Sequence, residues 1–341
     1  MKAVVKLKKG EGNVELIEHE IPTLGDHEVL VRVKSAGVCG TDIKIWEGHA
    51  WSNPPVILGH EFSGVIESVG KNVQRLKVGD RIIAETPQEV CGICEYCRNG
   101  RQMMCTSRLS MGYGVDGAFA KYIKVKEVSV HKIPDNLDYD TAALCEPLAC
   151  AIHAVFDQSE LLPTQVVGIW GPGTIGQLVA QVAHASGAKV FLFGTDKDQE
   201  RLELAKRLGI EETMLVSQEN FEECVREKSC GGFHTVFDCS GSLAAINTGL
   251  KLLRNMGTLV QVGLTKPQLT IDYAQIPARE LKIIGTYGHR SENWDQALKL
   301  LADGKVKVNG IITGEYSLEE WEQAFSDMKA QKGIKEMIHP D

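Results

Sequence analysis

The sequence has no excess of positive charge: 37 Lys and Arg stand against 45 Asp and Glu, a formal net charge of -8. No basic field is therefore available to hold a nucleic acid or an anionic membrane surface. The opening run Met1-Lys2-Ala3-Val4-Val5-Lys6 meets charge at once and lacks the apolar core of a signal peptide. One stretch, Val166 to Ala188, carries no Asp, Glu, Lys or Arg and is long enough to span a bilayer. It is broken by Gly171-Pro172-Gly173 and Gly176, however, and reads as strand, turn and helix rather than as a membrane span. Internal repeats and low-complexity segments are also missing. These absences predict a cytoplasmic protein whose partner is a small molecule.

What is present fits a globular protein of two domains. The chain has 341 residues, 43% of them hydrophobic and 24% charged. It holds ten cysteines, four of them between Cys91 and Cys105. Without a secretory signal, such a cluster reads as a metal site before a disulfide framework.

Up to about residue 140 the chain is rich in short β-like runs, such as Val29–Val33, Gly64–Gly70, Lys77–Ala84 and Phe119–Val125. An irregular all-β domain is expected there. After Pro147 the pattern changes. Strands are predicted at Val166–Trp170, Val190–Phe193, Thr235–Asp238, Thr258–Val262 and Leu281–Ile284. Helices are predicted at Thr174–Ser186, Gln199–Leu208 and about Ala244–Leu253. Such alternation implies a parallel, doubly wound α/β sheet. Two amphipathic helices follow, with Trp294, Leu298 and Leu301 on one face and Trp321, Ala324, Phe325 and Met328 on another. Core packing accounts for those apolar faces.

Gly171-Pro172-Gly173-Thr174-Ile175-Gly176 follows a predicted strand and opens a predicted helix, the context a dinucleotide-binding G-x-G-x-x-G motif requires. Its glycines permit a tight turn, close approach of a pyrophosphate and close helix packing. The helix N-terminus adds N–H donors and a favourable dipole. Asp196, placed at the end of the next predicted strand, stands twenty residues beyond Gly176, where an acid accepts the ribose hydroxyls. A 2′-phosphate beside that carboxylate would be repelled, so NAD is favoured. Lys197 and Arg201 keep NADP open.

Cys91-x2-Cys94-x2-Cys97-x7-Cys105 brings four thiolates to one ion, a closed tetrahedral zinc shell. An iron–sulfur cluster of the bacterial ferredoxin kind would place the fourth Cys after three residues and follow it with Pro. Here the gap is seven and Thr106 follows. A second constellation comprises Cys39-Gly40-Thr41-Asp42, Gly59-His60-Glu61 and Cys145-Glu146-Pro147. Cys, His and Glu are all zinc ligands, and a catalytic site keeps one position open. Each residue alone is more often structural, and spacing does not show that the three segments meet.

At these residues the chain resembles the zinc-dependent medium-chain dehydrogenase superfamily, in its sorbitol- (polyol-) and threonine-dehydrogenase-like branch. Gly59-His60-Glu61-x2-Gly64-x5-Gly70-x2-Val73 carries the signature, paired with the cysteine lobe. The resemblance implies a GroES-like β-rich catalytic domain from residues 1–149 and 286–341, with a structural zinc lobe at about 88–108. A Rossmann domain at 150–285 would be inserted in it, with the catalytic site in the cleft between domains. It implies two zinc ions per subunit and NAD, with cofactor contacts at Gly171, Gly173, Thr174, Ile175, Gly176, Asp196, Arg201, Val262, Gly263, Gly285 and Thr286.

Cys39 and His60 would bind the catalytic zinc with a carboxylate, Glu61 as ligand and Glu146 as an alternating or outer partner. Adjacent residues of an extended strand face opposite ways, so His60 and Glu61 both ligate only from a turn or helix start. Thr41 would relay the substrate proton. Many relatives place a His three residues onward, where this chain has Lys44. His49 is one alternative exit. In the implied reaction zinc polarises a secondary alcohol and its hydride passes to the nicotinamide.

The expected substrate is a polyol or sugar alcohol, with His49, His289 and Arg290 as further contacts, and Arg290 open to an anionic substituent. An L-threonine 3-dehydrogenase-like enzyme is the alternative. Gln88 and Glu146-Pro147, where that group carries His and Asp-Pro, count against it. A non-catalytic NAD-binding protein has no need of an open metal site. A homodimer or homotetramer is expected from the resemblance alone.

Overall fold

The computed structural model describes residues 1–265 and 268–340. Two compact units divide it, one of Met1–Glu146, His289–Ala302 and Ile312–Asp341, the other of Pro147–Gly288 and Asp303–Ile311.

The first unit is built on a seven-stranded sheet. Its path runs Val130–Lys132, Arg81–Ala84, Glu61–Val69, Glu28–Gly37, Lys335–His339, Ile312–Ser317, with Tyr122–Lys126 also pairing Glu28–Gly37. Alternation explains the long central strand: Val29, Val31 and Val33 are fully buried between half-exposed neighbours. A smaller sheet joins Lys2–Lys6, Val14–Glu18 and Val56–Ile57. The unit is not all β. A helix, Gly40–Trp46, follows the central strand, and Cys145–Ile152 begins with Cys145 and Glu146. Both helices are too short and too mixed in pattern to show a clear period. Trp46 meets Trp321 and Phe325 edge-on at 6.3 and 5.8 Å, so it belongs to the core.

The second unit holds a six-stranded parallel sheet in the order Glu212–Leu215, Lys189–Gly194, Val166–Trp170, Phe233–Asp238, Leu253–Gln261, Lys282–Gly285. Strand order reverses between Val166–Trp170 and Phe233–Asp238, the switch point where doubly wound sheets take ligands. The helix Thr174–Ala185 leaves from there. One expected boundary needs correction. Asp303–Ile311, expected with the catalytic domain, groups with the sheet unit. The reason is local packing: Val306 and Ile311 are buried, and Lys307 N donates to Gln181 Oε1 at 3.1 Å.

Candidate active site and metal centres

The local chain path makes the inner ligand group. Gly59 has φ +90°, a left-handed conformation that a side chain disfavours, and a Cβ there would lie 2.8 Å from the Phe119 ring. This turn precedes the strand Glu61–Val69, so His60 and Glu61 escape strand alternation and both reach Cys39. One ligand atom from each of Cys39, His60 and Glu61 lies within 4.8 Å of the others. Gly37, paired in register with Glu61, makes the room: a Cβ on it would stand 2.5 Å from Glu61 Oε2.

Asp42, named above only as part of the Cys39 segment, and Lys335, which the sequence did not mark, complete this corner. Asp42 is fully buried and accepts from Cys39 N at 2.9 Å, while its Oδ1 stands 3.6 Å from His60 Nδ1. Neither of those two last atoms has a hydrogen-bond partner among the described residues. A metal-bound imidazole usually presents its second nitrogen to a carboxylate, and this pair fits that arrangement. Lys335, 2% exposed, donates to Glu61 Oε2 at 2.6 Å and to Val38 O at 2.9 Å. Burial lowers the affinity of His60 for a proton, but Asp42 and Cys39 outweigh it and raise its pKa well above the ordinary value. Lys335 is likewise raised: burial opposes its charge, and Glu61, Cys39 and Glu146 together overcome it. The corner favours cations, as a site for a divalent metal must. No local signal marks Lys335, which lies 274 residues from Glu61 in sequence.

Glu146 is 9% exposed and does not belong to the group of three that converge within 4.8 Å. Its Oε1 stands 3.8 Å from His289 Nε2. His289, expected as a substrate contact, is buried next to Glu146. It is 3% exposed, with Trp294 Nε1 at 2.9 Å on one ring nitrogen and Thr86 Oγ1 at 3.2 Å on the other. His49, expected as a substrate contact or proton exit, has a side chain 75% exposed that faces Glu47 at 3.6 Å, in the turn after the helix. Thr41 is half-buried in the first turn of Gly40–Trp46, two residues after Cys39, and Lys44 lies one turn on. Arg290 is half-buried beside Glu292, with a buried Nε that has no partner among the described residues.

The cysteine lobe is self-contained. Cys91 Sγ lies 3.9 Å from Cys97 Sγ and 3.7 Å from Cys105 Sγ. Tetrahedral zinc with sulfur at about 2.3 Å requires sulfurs about 3.8 Å apart. The backbone N–H of Cys94 donates to Cys91 Sγ and that of Cys97 to Cys94 Sγ, at 3.3 and 3.4 Å. Backbone donors from Cys94 and Ile93 pull the Cys91 thiol down to about 6. Desolvation and the neighbouring thiols push Cys97 up to about 12. Four thiols this close resist ionising together unless a cation compensates them.

At the glycine motif each glycine has a separate cause. Gly171 has φ +95° and packs on Ser240, and a Cβ on Gly176 would meet Gly171 O at 1.8 Å. Gly173 has an ordinary φ of -73° and faces open space. The chain itself does not exclude a side chain at Gly173, so close approach of a ligand is what a glycine there serves. Gly173 caps the helix Thr174–Ala185 without a side-chain acceptor, so the helix end is not closed by its own cap. Asp238, fully buried, holds the neighbouring loop by accepting from Ser240 N, Ser240 Oγ and Gly241 N. Val262 N and Gly263 N both bond to Asp238 O, and Gly263 is pressed against Gly241. Gly285 faces open space, and Thr286 Oγ1 is buried without a partner among the described residues. Asp196 lies two residues beyond its strand, which ends at Gly194, rather than at its end. It is exposed and accepts from Ser217 Oγ. Arg201 pairs with Asp198 at 3.1 Å.

Residues 25–135 match the alcohol dehydrogenase GroES-like domain and residues 174–303 the zinc-binding dehydrogenase domain. The chain is 39% identical to a sorbitol dehydrogenase of Halalkalibacterium halodurans over 342 residues, covering 100% of this chain and 99% of the other. It is also 39% identical to a D-arabitol-phosphate dehydrogenase of Enterococcus avium, covering 99% and 97%. A Sinorhizobium meliloti protein described as a zinc-binding dehydrogenase, solved with NADP, superposes with a TM-score of 0.92 at 31% identity, covering 99% of both chains. The metal corner fits zinc and the glycine turn fits a nicotinamide dinucleotide. The chain is an oxidoreductase that belongs to the zinc-dependent medium-chain alcohol dehydrogenase family, in its polyol dehydrogenase branch.

Proposed function

We propose that this enzyme oxidises a secondary hydroxyl of a polyol or sugar alcohol to a ketone, with NAD as the hydride acceptor. The observation that carries the reading is the convergence of Cys39, His60 and Glu61, one thiolate and one carboxylate around a histidine, with Glu146 outside them. A thiolate and a carboxylate neutralise a divalent cation, and three protein ligands leave one position for substrate. A zinc ion held there supplies Lewis-acid stabilisation to an alcohol losing its proton. Thr41 takes that proton through its hydroxyl, and Asp42 and Lys335 keep His60 and Glu61 in place. Gly171–Gly176 and Asp196 would hold NAD, which would supply the hydride acceptor, so that alcohol and NAD balance against ketone, NADH and one proton.

Gln88 supports a polyol over an amino alcohol. Its amide donates to Glu85 O and Ser129 Oγ and accepts from Lys126 N, so it serves the fold. The sorbitol and arabitol-phosphate names belong to the two relatives, and Arg290 leaves a phosphorylated polyol within the class. The test follows absorbance at 340 nm with NAD and sorbitol, other pentitols and hexitols, their phosphates, 2,3-butanediol, L-threonine and ethanol. A higher kcat/KM for threonine or ethanol than for every polyol sinks the substrate reading.

We further propose a cytoplasmic homo-oligomer. No helix among the described residues is long and apolar enough to cross a membrane. Among the described residues the edge strand Lys282–Gly285 has a single neighbour, and it carries Ile283, 44% exposed. Sedimentation at working concentration tests the assembly, and a monomer overturns it.

A further inference from the structure

The parallel-sheet unit gathers positive charge at the end of its sheet away from the glycine turn. The strand Phe233–Asp238 starts beside this charge and ends at Asp238, six residues or about 20 Å later. An open cavity of about 720 Å³ lies there, lined by Arg226, Lys251, Arg254 and Arg279 and, among the described residues, by no carboxylate. Helix ends explain where the arginines point. Beyond the helix Phe221–Lys228, Arg254 Nη2 donates to Ser229 O and Cys230 O at 2.9 and 3.1 Å, and its Nε to Gly232 O at 2.9 Å. At the end of Leu243–Leu252, Arg279 donates to Leu250 O at 2.9 Å and to Leu253 O, and Arg226 to Lys251 O at 2.8 Å.

Capping does not account for the charge. Among the described residues Glu222, paired with Lys251, is the one carboxylate that meets any of the four cations. A helix C-terminus adds about half a negative charge, so two helix ends and Glu222 leave about two positive charges unbalanced. Donors are left over as well. A guanidinium has five N–H groups, and Arg226 uses one of them among the described residues. The case of Arg254 is sharper. His234 Nδ1 accepts from Val166 N at 3.0 Å, so the single proton of a neutral ring sits on Nε2. Burial, and then Arg254, lower the pKa of His234, which keeps the ring neutral near neutral pH. Its Nε2–H therefore faces Arg254 Nη1, 3.0 Å away, which also has only protons to offer. Two donors meet there without an acceptor.

We propose that this corner is a binding site for a small phosphate-bearing anion. An oxygen of that anion accepts from Arg254 Nη1 and His234 Nε2 together, and the unused N–H groups of Arg226 take another. A phosphate dianion matches the unbalanced charge, whereas a carboxylate supplies half of it. The planar guanidinium fork also suits two phosphate oxygens at once. The site stands apart from the metal corner and the glycine turn, and it does not rest on the dehydrogenase reading.

The test titrates inorganic phosphate, and phenyl phosphate as a simple ester, into the full-length protein by calorimetry. NAD is present to fill the glycine turn, and chloride holds the ionic strength constant. A single saturable site per chain is expected, and the tighter of the two probes tells free phosphate from an ester. Arg226→Gln combined with Lys251→Gln removes two exposed charges that the fold uses little. The Kd should rise about tenfold, the size of a lost charge-assisted hydrogen bond, while the dehydrogenase rate stays the same. The ring 15N signals of histidine-labelled protein give a second readout. Saturating phosphate should raise the pKa of His234, because a nearby anion favours the imidazolium. Heat that chloride alone reproduces, an unchanged Kd in the double variant, displacement by NAD, or a His234 pKa that phosphate does not raise overturns the proposal.

Discussion

The four cysteines of the lobe lie within one short stretch, Cys91 to Cys105, whereas the other ligand corner draws on Cys39, His60, Glu61 and Lys335. The lobe orients its sulfurs with its own backbone N–H groups, and its residues outside the ligands are largely exposed. The inner corner is instead buried. It depends on a glycine turn at Gly59, a missing Cβ at Gly37 and a cation from the C-terminal strand. Local chain chemistry suffices for a closed structural site. An open catalytic site has to be held by a fold, because its ligands must converge without surrounding the metal.

The comparison breaks first on activity. Cys39→Ser should remove one zinc and lower kcat/KM by about a thousandfold or more, equivalent to about 4 kcal/mol of transition-state stabilisation. The thermal midpoint should move little, because Cys39 caps a short helix and is not part of the buried core. Metal analysis beside calorimetry checks this, and a collapse of the fold would make the inner corner structural as well. Next comes Lys335→Met, which leaves Glu61 buried without its cation. Losing one partner of a buried pair costs about 3–5 kcal/mol. Zinc neutralises the same carboxylate, so urea unfolding should show a greater loss for stripped than for zinc-loaded protein. Equal losses in both states would separate Lys335 from the metal corner.

The lobe variant should have a smaller and local effect. Cys94→Ser should free one zinc and open Arg98 and Arg101, both exposed, to trypsin. The thermal midpoint should fall by a few degrees. Global unfolding would mean that the lobe supports the core. A pH test separates these metal corners from Trp294, on which His131 stacks at 5.9 Å and 8°. Burial lowers the His131 pKa, but Glu85 and Asp295 raise it above 6.5 overall. A raised pKa gives stability that is fully present below the unfolded value near 6.5 and is lost as pH rises through the higher folded value. His131→Phe should therefore cost more midpoint at pH 6 than at pH 9. An equal cost at both would place the effect in the stacking on Trp294 alone.

How much of this the sequence showed follows the same division. The strand Val166–Trp170 and the helix Thr174–Ala185 were legible because apolar runs and glycines act locally. The lobe was legible for the same reason. The helices Gly40–Trp46 and Cys145–Ile152 were not, since packing rather than period makes them helical. Lys335 and Trp294 escaped the site reading, and Asp42 stood in it without a role, because only the fold brings them to Glu61, His289 and His60. His49 was named as a histidine near Thr41, and the turn after the helix carries it to the surface.

The smallest expected effect tests a third kind of site, in which a motif and a single acid act together. Asp196 is exposed, and Ser217 Oγ donates to one of its oxygens, which leaves the other for a ribose hydroxyl. Arg201, the nearest rival for a 2′-phosphate, is engaged by Asp198 at 3.1 Å, and that carboxylate also caps Thr195 N at 2.9 Å. Lys197 is exposed and remains the cation nearest in sequence. A hydrogen bond to a charged group is worth about 1.5–3 kcal/mol. Asp196→Ala should therefore raise the Kd for NAD roughly tenfold, at the low end of that range for an exposed group. NADP should bind no more weakly than before, since the variant loses a repulsion along with the bond. Titrating both dinucleotides into wild type and variant measures the two ratios. Wild-type preference for NADP, or an equal loss for both cofactors, would transfer the choice to Lys197 and the exposed loop. In that case the glycine turn alone would be the part of this site that sequence encodes.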